Sequence, residues 1–170
     1  MKIGVIGLGY VGLPSAVGFA ELGFNVIGTD SNTTHLNKLK NGHSPLYEPG
    51  LQTLLTKHLK SGSLEFKESI AEVVNDAYII FICVGTPQSN SGQTDLSYVE
   101  QAVTSIAENL REYRIIVEKS TVPVNTADWI RETITNCSNS KVDFDVASNP
   151  EFLRESSAVS DFLNPDRIVL

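Results

Sequence analysis

The sequence predicts a doubly wound α/β fold, in which a mainly parallel sheet carries helices on both faces. Short apolar segments of strand character alternate with amphipathic segments of helical period from end to end. Strands that are joined by helical crossovers form parallel sheets, which are covered on both sides. A glycine-rich turn also joins the first strand to the first helix, as in many folds of this class. The 170 residues suit one domain.

The individual elements follow from the spacing of apolar residues. The predicted strands cover Lys2–Ile6, Asn25–Thr29, Leu64–Phe66, 77–84, 114–117, 144–147 and 168–170. The predicted helices cover 11–22, Thr33–Lys40, 50–60, 69–74, 95 or 97 to about 110, 125–136 and 157–162. A polar loop at 85–94 follows the fourth strand, and Gly23 follows the first helix, where a glycine commonly ends a helix.

Composition excludes several classes of function. Twenty Asp and Glu against 13 Lys and Arg give a net charge of −7, whereas a nucleic-acid-binding protein needs a basic surface. No apolar run reaches the roughly 18 residues of a membrane span. The N-terminal segment lacks the pattern of a signal peptide, so we expect a cytoplasmic protein.

Cysteine and histidine residues show no pattern of a metal centre, and we expect no metal. Cys83 and Cys137 are too few for a disulfide or zinc framework, and Cys83 lies in an apolar run that predicts a buried thiol. The three histidines, His35, His43 and His58, are scattered and are predicted to be surface residues.

The glycine-rich turn predicts a dinucleotide site. Gly7-Leu8-Gly9-Tyr10-Val11-Gly12 follows the first strand and opens the first helix. In this motif Gly7 allows a tight turn, Gly9 lets the backbone approach a pyrophosphate, and Gly12 allows close helix packing. Asp30 ends the second strand, where a carboxylate binds the adenosine ribose and repels a 2′-phosphate. The turn therefore favours NAD over NADP.

Three later strands end in small or polar residues, at Val84-Gly85-Thr86-Pro87, Lys119-Ser120-Thr121 and Asn149-Pro150-Glu151. Ligands bind at the carboxyl ends of the strands in open α/β sheets, so these segments predict a cleft next to the glycine turn. Glu151 and Glu155 share one face if their segment is helical, and a buried carboxylate there suits a general base. Ordinary turn chemistry and a solvated acidic face are the alternatives.

Several segments resemble the nucleotide-sugar 6-dehydrogenases of the UDP-glucose/GDP-mannose dehydrogenase family. They are 3–14 (IGVIGLGYVGLP), 47–51 (YEPGL), 82–87 (ICVGTP), 119–124 (KSTVPV), 149–155 (NPEFLRE) and 164–169 (NPDRIV). They occur in the family's order over the whole chain and resemble the family's amino-terminal, Rossmann-like NAD-binding domain. KSTVPV and NPDRIV are most like the UDP-glucose members, whereas the sequence around Arg154–Ser157 is also similar to that of GDP-mannose members.

The resemblance implies a role for each matching residue. Cofactor contacts are implied for Gly7, Leu8, Gly9, Tyr10, Val11, Gly12, Asp30, His35, Val84, Gly85, Thr86, Pro87, Gln88, Ser120, Thr121 and Glu155. Sugar contacts are implied for Glu151, Phe152, Leu153, Arg154 and Glu155. Glu151 and Thr121 are the implied catalytic residues, with Glu151 assisting the water that hydrolyses an acyl-enzyme. The family oxidises a hexose C6 alcohol to the carboxylate with two NAD⁺.

Two features depart from the family. His35 stands where members often carry a basic residue, and neither cysteine lies in the context of the family's nucleophile. That nucleophile belongs to a central helix and second domain that follow this region in members. We therefore expect residues 1–170 to be the NAD-binding domain of a longer enzyme, inactive alone and homo-oligomeric when complete. UDP-glucose is the expected substrate, with UDP-N-acetylmannosamine and GDP-mannose as alternatives. A non-enzymatic NAD-sensing module is the alternative of another class.

Overall fold

The computed structural model describes residues 1–88 and 92–170, so part of the predicted polar loop, 89–91, lies outside the described residues. The strands are β1 (Lys2–Ile6), β2 (Asn25–Thr29), β3 (Leu64–Phe66), β4 (Ile79–Ile82), β5 (Arg114–Glu118) and β6 (Phe144–Ser148). The helices are α1 (Gly12–Glu21), α2 (Thr33–Lys40), α3 (Leu51–Ser61), α4 (Ile70–Asp76), α5 (Ser97–Asn109), α6 (Thr126–Cys137) and α7 (Ala158–Leu163).

The strands form one six-stranded sheet in the order β3-β2-β1-β4-β5-β6, with every neighbouring pair parallel. The chain starts at the centre, winds to one edge, and then returns to wind to the other edge. The order reverses between β1 and β4, where Ile6 lies opposite both Thr29 and Ile82. This is the strand order of a Rossmann-like fold, so the predicted fold class is confirmed.

Two apolar layers hold helices on the two faces of the sheet. Val5 and Val17 belong to the layer beneath α1, α3 and α7, whereas Ile6 and Ile80 belong to the layer beneath α4, α5 and α6. Successive residues of β1 therefore point to opposite faces. Each fully buried leucine, such as Leu55, stabilises the fold by about 2 kcal/mol. Because both faces are covered, a ligand has access at the ends of the strands.

Two helix ends have specific capping interactions, of which only the first was predicted. Gly23 has a φ of 94° and ends α1, with its N–H bonded to Ala20 O and the next N–H, of Phe24, bonded to Phe19 O. Ser69 caps α4, and Glu72 bonds back to the Ser69 N–H, which completes a capping box. Among the described residues, no helix combines the length and hydropathy that a membrane crossing needs.

Two predictions about local structure are wrong, and one open alternative is not realised. Residues 149–154 are not helical, so Glu151 and Glu155 do not share a helix face, and the Glu151 carboxylate accepts the Leu153 N–H at 2.6 Å. Residues 168–170 form no strand, and Val169 O accepts a hydrogen bond from the Asn149 side chain. His58 is buried, with its Nε2 2.6 Å from Glu21 Oε2 and its Nδ1 2.8 Å from Ser63 Oγ.

Candidate functional site

The turn between β1 and α1 needs glycine at two positions. Gly7 has a φ of 88°, and a Cβ atom there would lie 2.6 Å from Cys83 O. A Cβ atom on Gly12 would lie 1.8 Å from Gly7 O. Gly9 is different, since a Cβ atom there would meet nothing within 4 Å. The fold itself therefore requires Gly7 and Gly12, whereas the free space at Gly9 is available to a ligand.

Asp30 ties this turn to the end of β2. Its Oδ2 accepts the Leu8 N–H at 2.7 Å, and its Oδ1 accepts the Asn32 N–H at 2.8 Å. The Gly7 N–H donates to Thr29 O at 2.9 Å. A carboxylate has about four acceptor positions, so Asp30 retains capacity for ligand hydroxyl groups. The sequence motif predicts the ligand contact but not this structural role.

A cleft of about 370 Å³ lies beside the turn, at the carboxyl ends of the central strands. Five predicted cofactor residues line it, namely Gly7, Gly9, Asp30, Val84 and Gly85. Among the described residues, no side chain caps the start of α1. The Leu13 N–H donates to Gly9 O at 3.0 Å and Pro14 has no N–H, so the Gly12 N–H and the positive end of the helix dipole are left for an acceptor such as a phosphate. The cleft therefore offers a backbone approach, a helix N-terminus and a carboxylate, which is the set that a dinucleotide needs.

Several cleft residues were not predicted. They are Ile6, Thr29, Ser31, Glu68, Ile70, Cys83, Tyr98, Gln101 and Ala102. Tyr98 and Gln101 lie on α5, and no local pattern in the sequence distinguishes them from the rest of that helix. Their position depends on how α5 packs against the sheet.

A second cavity, of about 380 Å³, lies at the ends of β5 and β6. Ser120, Thr121 and Glu151 line it together with Glu118 and the first residues of α6. The two predicted catalytic residues, Thr121 and Glu151, thus face one cavity.

Side-chain hydrogen bonds join three neighbouring strand ends. Thr86 Oγ1, after β4, donates to Thr121 O, after β5, at 2.9 Å. Lys119 Nζ donates to Asn149 Oδ1, after β6, at 3.1 Å. The predicted polar segments therefore meet at one edge of the sheet, as parallel strands require.

Burial alters the ionisation of the groups at this edge. It raises the pKa of the Cys83 thiol to about 12, so Cys83, which is buried as predicted, is a neutral thiol. Burial lowers the pKa of Lys119, although the nearby Cys83 and Glu151 act in the opposite direction. Burial also raises the pKa of Glu118 to about 7, against hydrogen bonds from Ser120 and Lys119 that lower it.

The segment that carries the predicted sugar contacts is an irregular loop. Arg154 forms an ion pair with Asp161 at 2.7 Å, and this pairing holds the pKa of Asp161 well below its usual range. The Arg167 guanidinium lies 5.1 Å from the centre of the Phe152 ring. Glu151 and Glu155 therefore do not share a helix face, and Arg154 is paired with an aspartate rather than with either glutamate.

Glu48 anchors the far end of this loop, which the sequence motif did not reveal. Its buried carboxylate accepts the Ser156 N–H at 2.7 Å and the Ala158 N–H at 3.3 Å. Ser156 has a φ of 67°, a strained value for a residue with a side chain. The YEPGL segment thus fixes a sharp turn that lies 108 residues further along the chain.

The remaining predicted residues lie outside the lining of both cavities. For the cofactor these are Leu8, Tyr10, Val11, Gly12, His35, Thr86, Pro87, Gln88 and Glu155, and for the sugar Phe152, Leu153 and Arg154. Leu8 is fully buried in the core, and its N–H is held by Asp30. Within residues 1–88 and 92–170, no cluster of three or more His, Cys, Asp or Glu side chains is placed to hold a metal ion.

Comparison with known proteins defines the class. The NAD binding domain of the UDP-glucose/GDP-mannose dehydrogenase family matches residues 1–170. The chain belongs to this family and is its NAD-binding domain, which confirms both the resemblance in the sequence motifs and NAD as the cofactor.

Individual relatives refine this assignment. The chain is 46% identical to a UDP-glucose 6-dehydrogenase of Bacillus subtilis (strain 168), over 99% of this chain and 37% of that protein. It is 38% identical to a GDP-mannose 6-dehydrogenase of Pseudomonas syringae pv. tomato, over 100% of this chain and 40% of that protein. A solved UDP-glucose dehydrogenase from Pyrobaculum islandicum superposes with a TM-score of 0.95 at 44% identity, covering 98% of this chain and 39% of the other. The chain thus spans about two-fifths of the length of these relatives.

Proposed function

We propose that this chain is the NAD-binding domain of a UDP-glucose 6-dehydrogenase, which oxidises the C6 alcohol of the sugar to a carboxylate. The observation that carries the proposal is the cleft beside Gly9 and Asp30, in a chain 46% identical to a UDP-glucose 6-dehydrogenase. The relatives are more than twice as long as this chain, and we propose that a longer polypeptide supplies the substrate domain.

The residues of the cleft suit NAD in detail. The N–H groups at the start of α1 would hold the pyrophosphate, which approaches over Gly9. Asp30 would accept hydrogen bonds from the adenosine ribose, and its charge would repel the 2′-phosphate of NADP. Val84 and Gly85 would line the cofactor, with Thr86 at the end of that segment. When bound, NAD supplies the hydride acceptor for the oxidation.

Thr121 and Glu151 are the proposed catalytic residues. Both line the cavity next to the cofactor cleft, where Glu151 can remove a proton from water during hydrolysis of an acyl-enzyme. Formation of that acyl-enzyme needs a reactive thiol. Cys83 is buried with a raised pKa, and the exposed Cys137 ends α6 rather than lining either cavity. We therefore expect residues 1–170 to bind NAD without catalysing the oxidation.

GDP-mannose and UDP-N-acetylmannosamine are the alternative substrates, and the 38% identity to a GDP-mannose 6-dehydrogenase favours testing the former first. A non-enzymatic NAD sensor would need the glycine turn and Asp30 alone. The shared cavity of Thr121 and Glu151 favours the enzyme. Assays of a full-length protein that contains this domain, with the three nucleotide sugars, distinguish these alternatives.

Calorimetric titration with NAD tests the cofactor site. Gly9→Ala adds a methyl group where the protein itself leaves space, so we expect at least about tenfold weaker NAD binding with little change in stability. Asp30→Asn keeps one acceptor oxygen and removes the charge, so we expect about tenfold weaker binding of NAD and a smaller preference over NADP. Asp143→Asn, on an exposed residue, is the matched charge control. Unchanged NAD affinity in both cleft variants would refute the assignment.

A further inference from the structure

Glu118 is a buried carboxyl group with an incomplete set of partners. It ends β5 and is 1% exposed. Its Oε1 accepts the Ser120 N–H at 2.6 Å, whereas its Oε2 is buried and has no hydrogen-bond partner among the described residues. Leaving a buried polar atom unpaired costs about 1–3 kcal/mol, and more for a charged group. Such an atom in a native fold calls for an explanation.

The surroundings of Glu118 connect it to both cavities. Glu118 lines the cavity of Thr121 and Glu151. The turn that it holds continues to Thr121, whose carbonyl oxygen accepts the Thr86 hydroxyl at 2.9 Å. Thr86 directly follows Val84 and Gly85, which line the cofactor cleft. A chain of hydrogen bonds and one short turn therefore leads from the Glu118 carboxyl to the cofactor cleft.

No charged side chain neutralises Glu118 among the described residues. The neighbouring Lys119 is directed to Asn149 instead, with its Nζ 3.1 Å from Asn149 Oδ1. Cys83 interacts electrostatically with Glu118, Lys119 and Glu151. The acidic side chains of α5 and α6, at Glu100, Glu108, Asp128 and Glu132, are exposed. Burial opposes the ionised form and raises the pKa of Glu118 to about 7, against the hydrogen bond from the Ser120 N–H, which lowers it.

We propose that Glu118 is a positioning residue of this site, whose carboxyl group couples the shape of the Ser120–Thr121 turn to its own protonation state. The relevance of this coupling to catalysis rests on the proposed function, whereas the coupling itself is a property of this chain. The ionised carboxylate accepts the Ser120 N–H strongly and holds the turn. The protonated acid accepts it weakly and presents an O–H donor to the cavity. One proton exchanges with water, and no other bond changes.

The two forms have different consequences for the site. Ionised Glu118 fixes the Thr121 carbonyl where Thr86 reaches it, and so holds the segment after β4. Protonated Glu118 releases part of that constraint. The positions of Thr121 and of the cofactor segment therefore change together as Glu118 titrates.

Amide NMR of the isotopically labelled chain tests this coupling. Spectra are recorded from about pH 5.5 to about pH 8.5 for the wild type, Glu118→Gln and Glu132→Gln. Gln is nearly isosteric with the protonated acid and keeps an acceptor oxygen for Ser120. Glu132 is an exposed residue of α6, so Glu132→Gln removes the same charge without touching the site.

We expect the Ser120 amide resonance to shift with a midpoint near pH 7 in the wild type and in Glu132→Gln, and the Thr86 amide to follow with the same midpoint. Both shifts should be lost in Glu118→Gln. A Ser120 amide that does not titrate, or that titrates equally in Glu118→Gln, would overturn the proposal. A Thr86 amide that stays fixed while Ser120 moves would overturn the coupling. If Glu118→Gln does not fold, the wild-type titration alone still shows whether the Ser120 amide titrates. NAD titration of the same samples tests the proposed function separately.

Discussion

The free energy of unfolding of the wild type should fall as Glu118 ionises with rising pH, and Glu118→Gln should lack this fall. The pKa of Glu118 is about 7 in the folded chain, against an ordinary value of 4.5. The folded state therefore binds this proton more tightly than the unfolded state does. Its contribution to stability is fully present below pH 4.5 and is lost as pH rises through about 7. Each unit of pKa difference between the folded and unfolded states corresponds to about 1.4 kcal/mol, so the full loss of folding stability is about 3 kcal/mol.

Urea unfolding followed by circular dichroism measures this effect. Between about pH 5 and about pH 8, the free energy of unfolding of Glu118→Gln should rise by about 2–3 kcal/mol relative to the wild type. Other carboxylates titrate equally in both proteins and cancel in the difference. Glu132→Gln should follow the wild type at every pH, because Glu132 is exposed. A difference between Glu118→Gln and the wild type that is independent of pH would refute the reasoning.

Two further predictions concern the framework of the site. Gly12→Ala should destabilise the chain by about 3 kcal/mol, since the added Cβ would lie 1.8 Å from Gly7 O, whereas Gly9→Ala should leave the thermal midpoint almost unchanged. Equal thermal midpoints for the two variants would contradict this. Glu48→Ala should cost about 1–3 kcal/mol by removing the acceptor of two N–H groups, and Ser156→Gly should recover part of the loss by relieving a φ of 67°. Urea unfolding of the single and double variants measures both effects, and a double variant no more stable than Glu48→Ala would contradict the prediction.

Local patterns were sufficient to predict most of the architecture and the first half of the site. Residues with alternating or helical apolar spacing formed the expected elements, and the bounds of β1, β2, β3 and α2 agree with prediction. The glycine turn and Asp30 were predictable because adjacent elements of a βαβ unit bring them together. The meeting of Thr86, Thr121 and Glu151 at one edge followed from the parallel sheet alone.

The same patterns did not decide the conformation of the loop after β6. The spacing of Glu151 and Glu155 is compatible with a helix, but the segment is an irregular loop in which the Glu151 carboxylate accepts the Leu153 N–H. The position of His58 in an amphipathic helix predicted a surface residue. It is buried because Glu21 and Ser63 approach it from other elements.

The sequence by itself determined the seven helices and the six sheet strands of the described residues, how they wind, and which end of the sheet carries the polar residues, although it also predicted a strand at 168–170 that does not form. These properties depend on periodicity and turn chemistry, which act over a few residues. Only the tertiary structure decided that Glu48 holds Ser156 across 108 residues and that Asp30 holds the Leu8 N–H. It also decided that one buried oxygen of Glu118 has no partner within residues 1–88 and 92–170. The physical reason is that a buried polar group takes its partners from whichever elements the packing brings beside it, however far away they lie in the chain.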